Sequence, residues 1–237
     1  MKYRKLCGYL TVFIILLIDR LTTFIPLYEM FNKEFINKTS LTENLVIGDY
    51  TASVNILVIP MILFVFLEDY INDGDAISRL TRYTSIEGWH DFRLKNAARV
   101  ACAVASIYML IEVITCLTAG DVRVMIKHNV MPAFFIQYIV MMGYLILVWY
   151  VKEIMEIYNS RTASKISVIV SFSLWYFVTS LYYPTCILLS GFEVVTGVCG
   201  ENRNLYDCLG FMGGLILVLT IVKGIFIRLR NREDIWI

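Results

Sequence analysis

The stretch from Arg79 to Thr118, RLTRYTSIEGWHDFRLKNAARVACAVASIYMLIEVITCLT, changes character part-way along. Up to Val100 it carries Arg79, Arg82, Arg93, Lys95, Arg99 and His90; beyond Val100 its sole charge is Glu112. A helix needs roughly 20 apolar residues to cross a hydrocarbon core about 30 Å thick, and the run from Ala97 to Thr118 meets that length. It lacks the apolar and polar alternation of a barrel strand, so the spacing predicts a transmembrane helix.

The rest of the chain repeats the pattern. Of its 237 residues 58% are hydrophobic and 17% charged, and the mean hydropathy is +0.67, outside the range of soluble domains. The expected fold is all-α, one transmembrane domain over residues 1–237, with six spans: about Leu6 to Phe31, Thr51 to Leu67, Ala97 to Thr118, Met131 to Val151, Ile166 to Ser190 and Asp207 to Ile227. The start, MKYRKLCGYLTVFIILLIDR, has the basic and apolar order of a signal peptide. Asp19 and Arg20 stand where a small-residue cleavage site belongs, which favours a retained anchor.

Lys and Arg set the orientation. The N-terminal end, the second and fourth loops and the C-terminal end carry 15 of them; the first, third and fifth loops carry five. Both termini are therefore expected in the cytoplasm, in a multi-pass membrane protein. Cys199 and Cys208 flank the end of the fifth loop, where an oxidising exterior permits a disulfide; two unpaired small residues is the alternative. The sequon at Asn37 would also face outward.

Several chemistries lack their residues. The chain has no H-E-x-x-H, no G-x-S-x-G, no C-x-x-C and no G-x-x-x-x-G-K-[ST]. Its two histidines, His90 and His128, are expected on opposite membrane sides and cannot share a metal. No catalytic residue, metal, cofactor or nucleic-acid partner is expected.

Charge inside the spans demands company. Asp19 and Arg20 lie near the middle of the first span, at about 2.5 to 3.5 kcal/mol each. Its fourteen Leu, Ile, Val and Phe residues return roughly 0.3 to 0.6 kcal/mol apiece, leaving the span marginal alone. Glu112 lies at a matching depth in the third span, and an Arg20 to Glu112 ion pair is expected, with Asp19 beside it. Such groups mark either a substrate path or a static packing contact, the other alternative being an Asp19 and Arg20 pair that satisfies itself with water. Gly210 and Gly214, with Gly213 between, make a G-x-x-x-G face suited to close helix packing, within the chain or between subunits. Pro60 and Pro184 are the expected kinks.

In the charged loop, Ile86, Trp89 and Phe92 recur every three residues and Ser85 can cap a helix. One or two short amphipathic helices along the inner surface are expected, with Arg93, Lys95 and Arg99 toward anionic headgroups.

Six spans with both ends inside, this loop between spans two and three, and the basic ending IRLRNREDIWI resemble a permease subunit of the type-2 exporter class of ABC transporters. RYTSIEGW is similar to an Arg-Tyr-x-Ser-Arg-x-x-Trp run in a bacterial permease-like family associated with bacteriocin and lantibiotic export and immunity. Arg82, Tyr83, Ser85 and Trp89 fit that run, and Ile86 replaces its second basic residue. The resemblance implies that the loop is a coupling element docking on a separate ATP-binding cassette subunit, with Arg79, Arg82, Trp89 and Arg93 in contact. It also implies a homodimer or a second permease subunit, and export of a peptide or hydrophobic compound. The competing expectation is an accessory or immunity membrane protein that binds a peptide or partner without ATP.

Overall fold

A computed structural model describes residues 2–33, 57–72, 86–119, 122–127, 129–182 and 205–232. Among them regular structure is helical throughout: α1 (Lys2–Lys33), α2 (Ile59–Asn72), α3 (Ile86–Ala119), α4 (Val122–Lys127), α5 (Val130–Tyr158), α6 (Arg161–Tyr182) and α7 (Leu205–Arg232). Helices satisfy every backbone group from within, as an apolar surrounding requires. Gly88–Thr118, Val130–Tyr158 and Tyr206–Arg230 are long and apolar enough to cross a membrane. The other expected spans coincide with α1, which carries Asp19 and Arg20, with α2, short in its described part, and with α6, whose run is broken by Ser164, Ser167, Ser171 and Ser173.

The organising element is α5. Val130, Phe134, Gln137, Met141, Tyr144, Val148 and Lys152 recur at three and four residues and are all buried, the stripe a helix presents to neighbours. Those neighbours are α7, α3, α6 and α2; α1 packs on α3 and α2. Outward-facing residues are large and apolar, including Leu110, Ile114, Leu174, Ile216 and Ile221. A surface of this kind is costly in water and at home in lipid, so the architecture is that of a membrane-embedded helical protein.

Local chemistry sets the turns. Asn129 precedes α5 in the left-handed conformation, φ 53° and ψ 36°, which asparagine tolerates better than most residues. Its N–H donates to the Ile126 carbonyl at 3.2 Å, and its own carbonyl accepts from Ala133 at 3.1 Å. Between α5 and α6, the Ser160 hydroxyl accepts from the Ala163 N–H at 3.3 Å, an N-cap that starts α6 at once. Pro60 stands in the first turn of α2 behind a π-type turn at Leu57 and Val58, where a missing N–H costs little. Pro184 lies outside the described residues.

One end of the bundle gathers the first turns of α1, α3 and α6 with the last turns of α2, α5 and α7. The Arg4 guanidinium lies 4.4 Å from the Tyr70 ring centre, Arg93 pairs with Glu153, Arg161 pairs with Asp69, and Arg230 lies over Trp89. These six helices therefore alternate in direction.

The structure corrects one expectation for the charged loop. From Ile86 onward there is no separate surface helix: α3 runs unbroken to Ala119, because no proline or turn signal divides Ile86 from Ala97.

Helices α5 and α7 approach closely at Gly143, where a Cβ would stand 2.6 Å from Leu215 Cδ2 and 3.3 Å from its Cγ; at Gly210 a Cβ would meet nothing within 4 Å. Gly143→Val is expected to push α7 off α5 and cost about 1–3 kcal/mol. Gly210→Ala should stay within about 0.5 kcal/mol of the parent in thermal unfolding of the monomer in detergent.

Candidate functional site: a buried ion network at one end of the bundle

The apolar run of α2 ends in Glu68 and Asp69, and that of α5 in Lys152 and Glu153. Because these helices are antiparallel, the two charged pairs arrive at one depth. Lys152, 1% exposed, is ion-paired with Glu68, itself 1% exposed, and its Nζ lies 3.1 Å from Asp69 Oδ1. Its Nζ is also 3.7 Å from Glu156, one turn further along α5. The first turns of α6 complete the set: Arg161 donates to Asp69 Oδ1 through Nη2 at 2.9 Å and Nε at 3.2 Å, and Lys165 pairs with the other Asp69 oxygen. From α3, Arg93 Nη2 reaches the fully buried Glu153 at 2.6 Å.

Glu68, Asp69, Glu153 and Glu156 thus face Arg93, Lys152, Arg161 and Lys165, with charges that balance. Burial alone would raise the Asp69 pKa, but Lys152, Lys165 and Arg161 outweigh it and hold the carboxyl below the ordinary carboxylate range. Four helices are joined by bonds that a low dielectric strengthens once formed. The arrangement offers no nucleophile beside a base. Among the described residues no set of His, Cys, Asp and Glu comes together to hold a metal ion.

Beside the network, His90 is buried against Phe226, Tyr150 and Trp149, with ring centres 5.1, 5.7 and 6.0 Å away. Trp89, one residue earlier, has the guanidinium carbons of Arg230 and Arg93 at 4.2 and 5.0 Å from its ring centre, close enough for cation–π attraction. The beginning of α3 is therefore seated on the ends of α5 and α7.

Of the loop residues singled out in the sequence, Trp89 and Arg93 stand on α3, while Arg79, Arg82, Tyr83 and Ser85 lie outside the described residues. So does Cys199; Cys208 is buried near the start of α7. Arg20 and Glu112 join α1 to α3 with Nη2 and Oε2 2.7 Å apart, both nearly inaccessible, and Asp19 is partly buried beside them. Gly210, Gly213 and Gly214 face open space, so this small-residue face packs on no other described part of the chain.

Sequence reasoning missed the network. It counted Lys152, Arg161 and Lys165 as loop charges and left Glu68, Asp69, Glu153 and Glu156 without a role. The available signal was that LED and VKE each stand at the end of an apolar run.

Compared with family models, with curated proteins and with solved structures, the chain matches none.

Two measurements probe these pairs. Glu112→Leu should cost about 3–5 kcal/mol by leaving Arg20 buried without its partner on α3, while Arg20→Met with Glu112→Leu should recover most of it if the pair is static; persistent instability of the double variant would point to a further role. For Asp69 the folded pKa is depressed, so its contribution is full above the ordinary value of about 3.9 and is lost as pH falls below that. Asp69→Asn should flatten the acid limb of the thermal midpoint against pH.

Proposed function

We propose that the chain is the membrane-spanning permease subunit of an ABC transporter, non-catalytic itself and driven by ATP hydrolysed on a separate subunit. On this reading it crosses the membrane six times. The basic residues gathered at the charged end, among them Arg4, Arg93, Arg161, Lys165 and Arg230, support a cytoplasmic position for that end and for both termini.

The observation that carries the reading is that both roots of the loop between α2 and α3 are tied to one turn of α5: Glu68 by Lys152 and Arg93 by Glu153. A loop that receives a push from a soluble partner needs a stiff connection to the spans. Here a displacement of the loop reaches α5 through two buried ion pairs and α6 through Asp69. Trp89, still partly exposed, with Arg79, Arg82, Tyr83 and Ser85 before it, forms the docking segment. An apolar cavity of about 530 Å³ between α5, α6 and α7, lined by Tyr144, Phe172, Trp175 and Leu215, suits a hydrophobic compound or an apolar peptide segment as cargo. The open glycine face of α7 suits a second permease subunit, identical or not.

The test is affinity purification in mild detergent with an ATPase assay. The parent should bring down an ATP-binding chain, and Trp89→Ala should lose it while still inserting into the membrane. Glu153→Gln should keep the partner and lose most of the stimulated ATPase activity, since it cuts transmission rather than docking. If no ATP-binding chain accompanies the parent in several detergents, the accessory or immunity reading replaces this one.

A further inference from the structure

A groove runs between α1 and α2 and ends at the ion network, enclosing about 730 Å³. Its walls are apolar, with Val12 and Ile15 on α1 and Ile62 and Phe66 on α2. Only at the charged end do charged groups enter the lining: Arg4 from α1, Lys165 from α6, and Asp69 of α2, the carboxylate with which Lys165 pairs. We propose that this groove holds one acyl chain of an anionic phospholipid, with the phosphate seated between Arg4 and Lys165.

Three features point to that occupant. The first is length. Arg4 and Ile15 lie eleven residues apart on one helix face, about 16 Å at about 1.5 Å per residue, which matches one leaflet of a hydrocarbon core about 30 Å thick. The second is charge. Within the network four carboxylates balance four cations, so Arg4 adds a surplus positive charge at the mouth, where an anionic headgroup would sit. The third is order. The half-exposed Tyr70 ring holds the Arg4 guanidinium 4.4 Å from its centre, which fixes a flexible side chain before any ligand arrives. Gly8 lets the two helices meet at the floor, since a Cβ there would stand 2.6 Å from Leu67 Cδ1. The site depends on the membrane-embedded architecture and is independent of ATP coupling.

The test uses the full chain in mild detergent and native mass spectrometry. Phosphatidylglycerol, phosphatidylcholine with the same acyl chains, and glycerol 3-phosphate are offered separately. One phosphatidylglycerol per chain should be retained in preference to phosphatidylcholine. Arg4→Gln, an exposed change, should reduce that preference about fivefold, the factor for one basic residue near an anionic surface. Thr11→Trp, which places an indole in the groove, should displace the lipid. Equal retention of the two lipids, a preference that survives Arg4→Gln, retention that survives Thr11→Trp, or glycerol 3-phosphate binding as tightly as the lipid would each overturn the proposal.

Discussion

A carboxylate or an ammonium group taken out of water without a partner costs several kcal/mol, and the ends of α2, α5 and α6 bury a group of them. Their mutual pairing is the constraint on which the arrangement of the bundle depends. Lys152 cannot be placed unless Glu68 and Asp69 arrive at its depth, which fixes how far α2 and α5 slide past each other. Asp69 also holds Arg161 and Lys165, which fixes α6. In a surrounding as apolar as the helix surfaces, hydrophobic burial between helices supplies little register information. Polar groups with strict partners supply it instead, as a single buried asparagine does in a coiled coil.

That division of labour explains what could be read from the sequence. The helices were legible, since each apolar run announces itself by length, and α3, α5 and α7 lie where hydropathy puts them. The pairing of Arg20 with Glu112 was legible as well, because Glu112 is an isolated charge at a depth that matches Arg20. Less legible were the partners of residues just past the ends of runs. Lys152 looks like an ordinary flanking cation until the antiparallel geometry brings α2 beside it. The extent of α3 was misread for a related reason: Ile86, Trp89 and Phe92 have the spacing of an amphipathic surface helix, but the same residues serve a helix that continues into the bilayer and rests on α5 and α7.

The two ends of α3 meet different surroundings. Its first turns are surrounded by Trp149, Tyr150, Phe226 and Arg230, contacts that an aqueous and apolar boundary favours. Further along, Tyr108 and Glu112, one turn apart on α3 and both buried, lie with the Arg20 guanidinium as a small polar island within an apolar wall. One helix therefore links Trp89 and His90 at the charged end of the bundle to the Arg20 and Glu112 pair.

The Arg20 and Glu112 pair carries a consequence for how the protein is made. A ribosome delivers α1 well before α3, and α1 emerges with two ionised groups that hydrocarbon disfavours. Until Glu112 is synthesised, Arg20 lacks that counter-ion, and the first helix is better held at the translocon or against the interface than released into lipid. Burial of Arg20 in an apolar surrounding is then costlier before α3 arrives than after it, so this single pair bears on the order of assembly as well as on the finished fold.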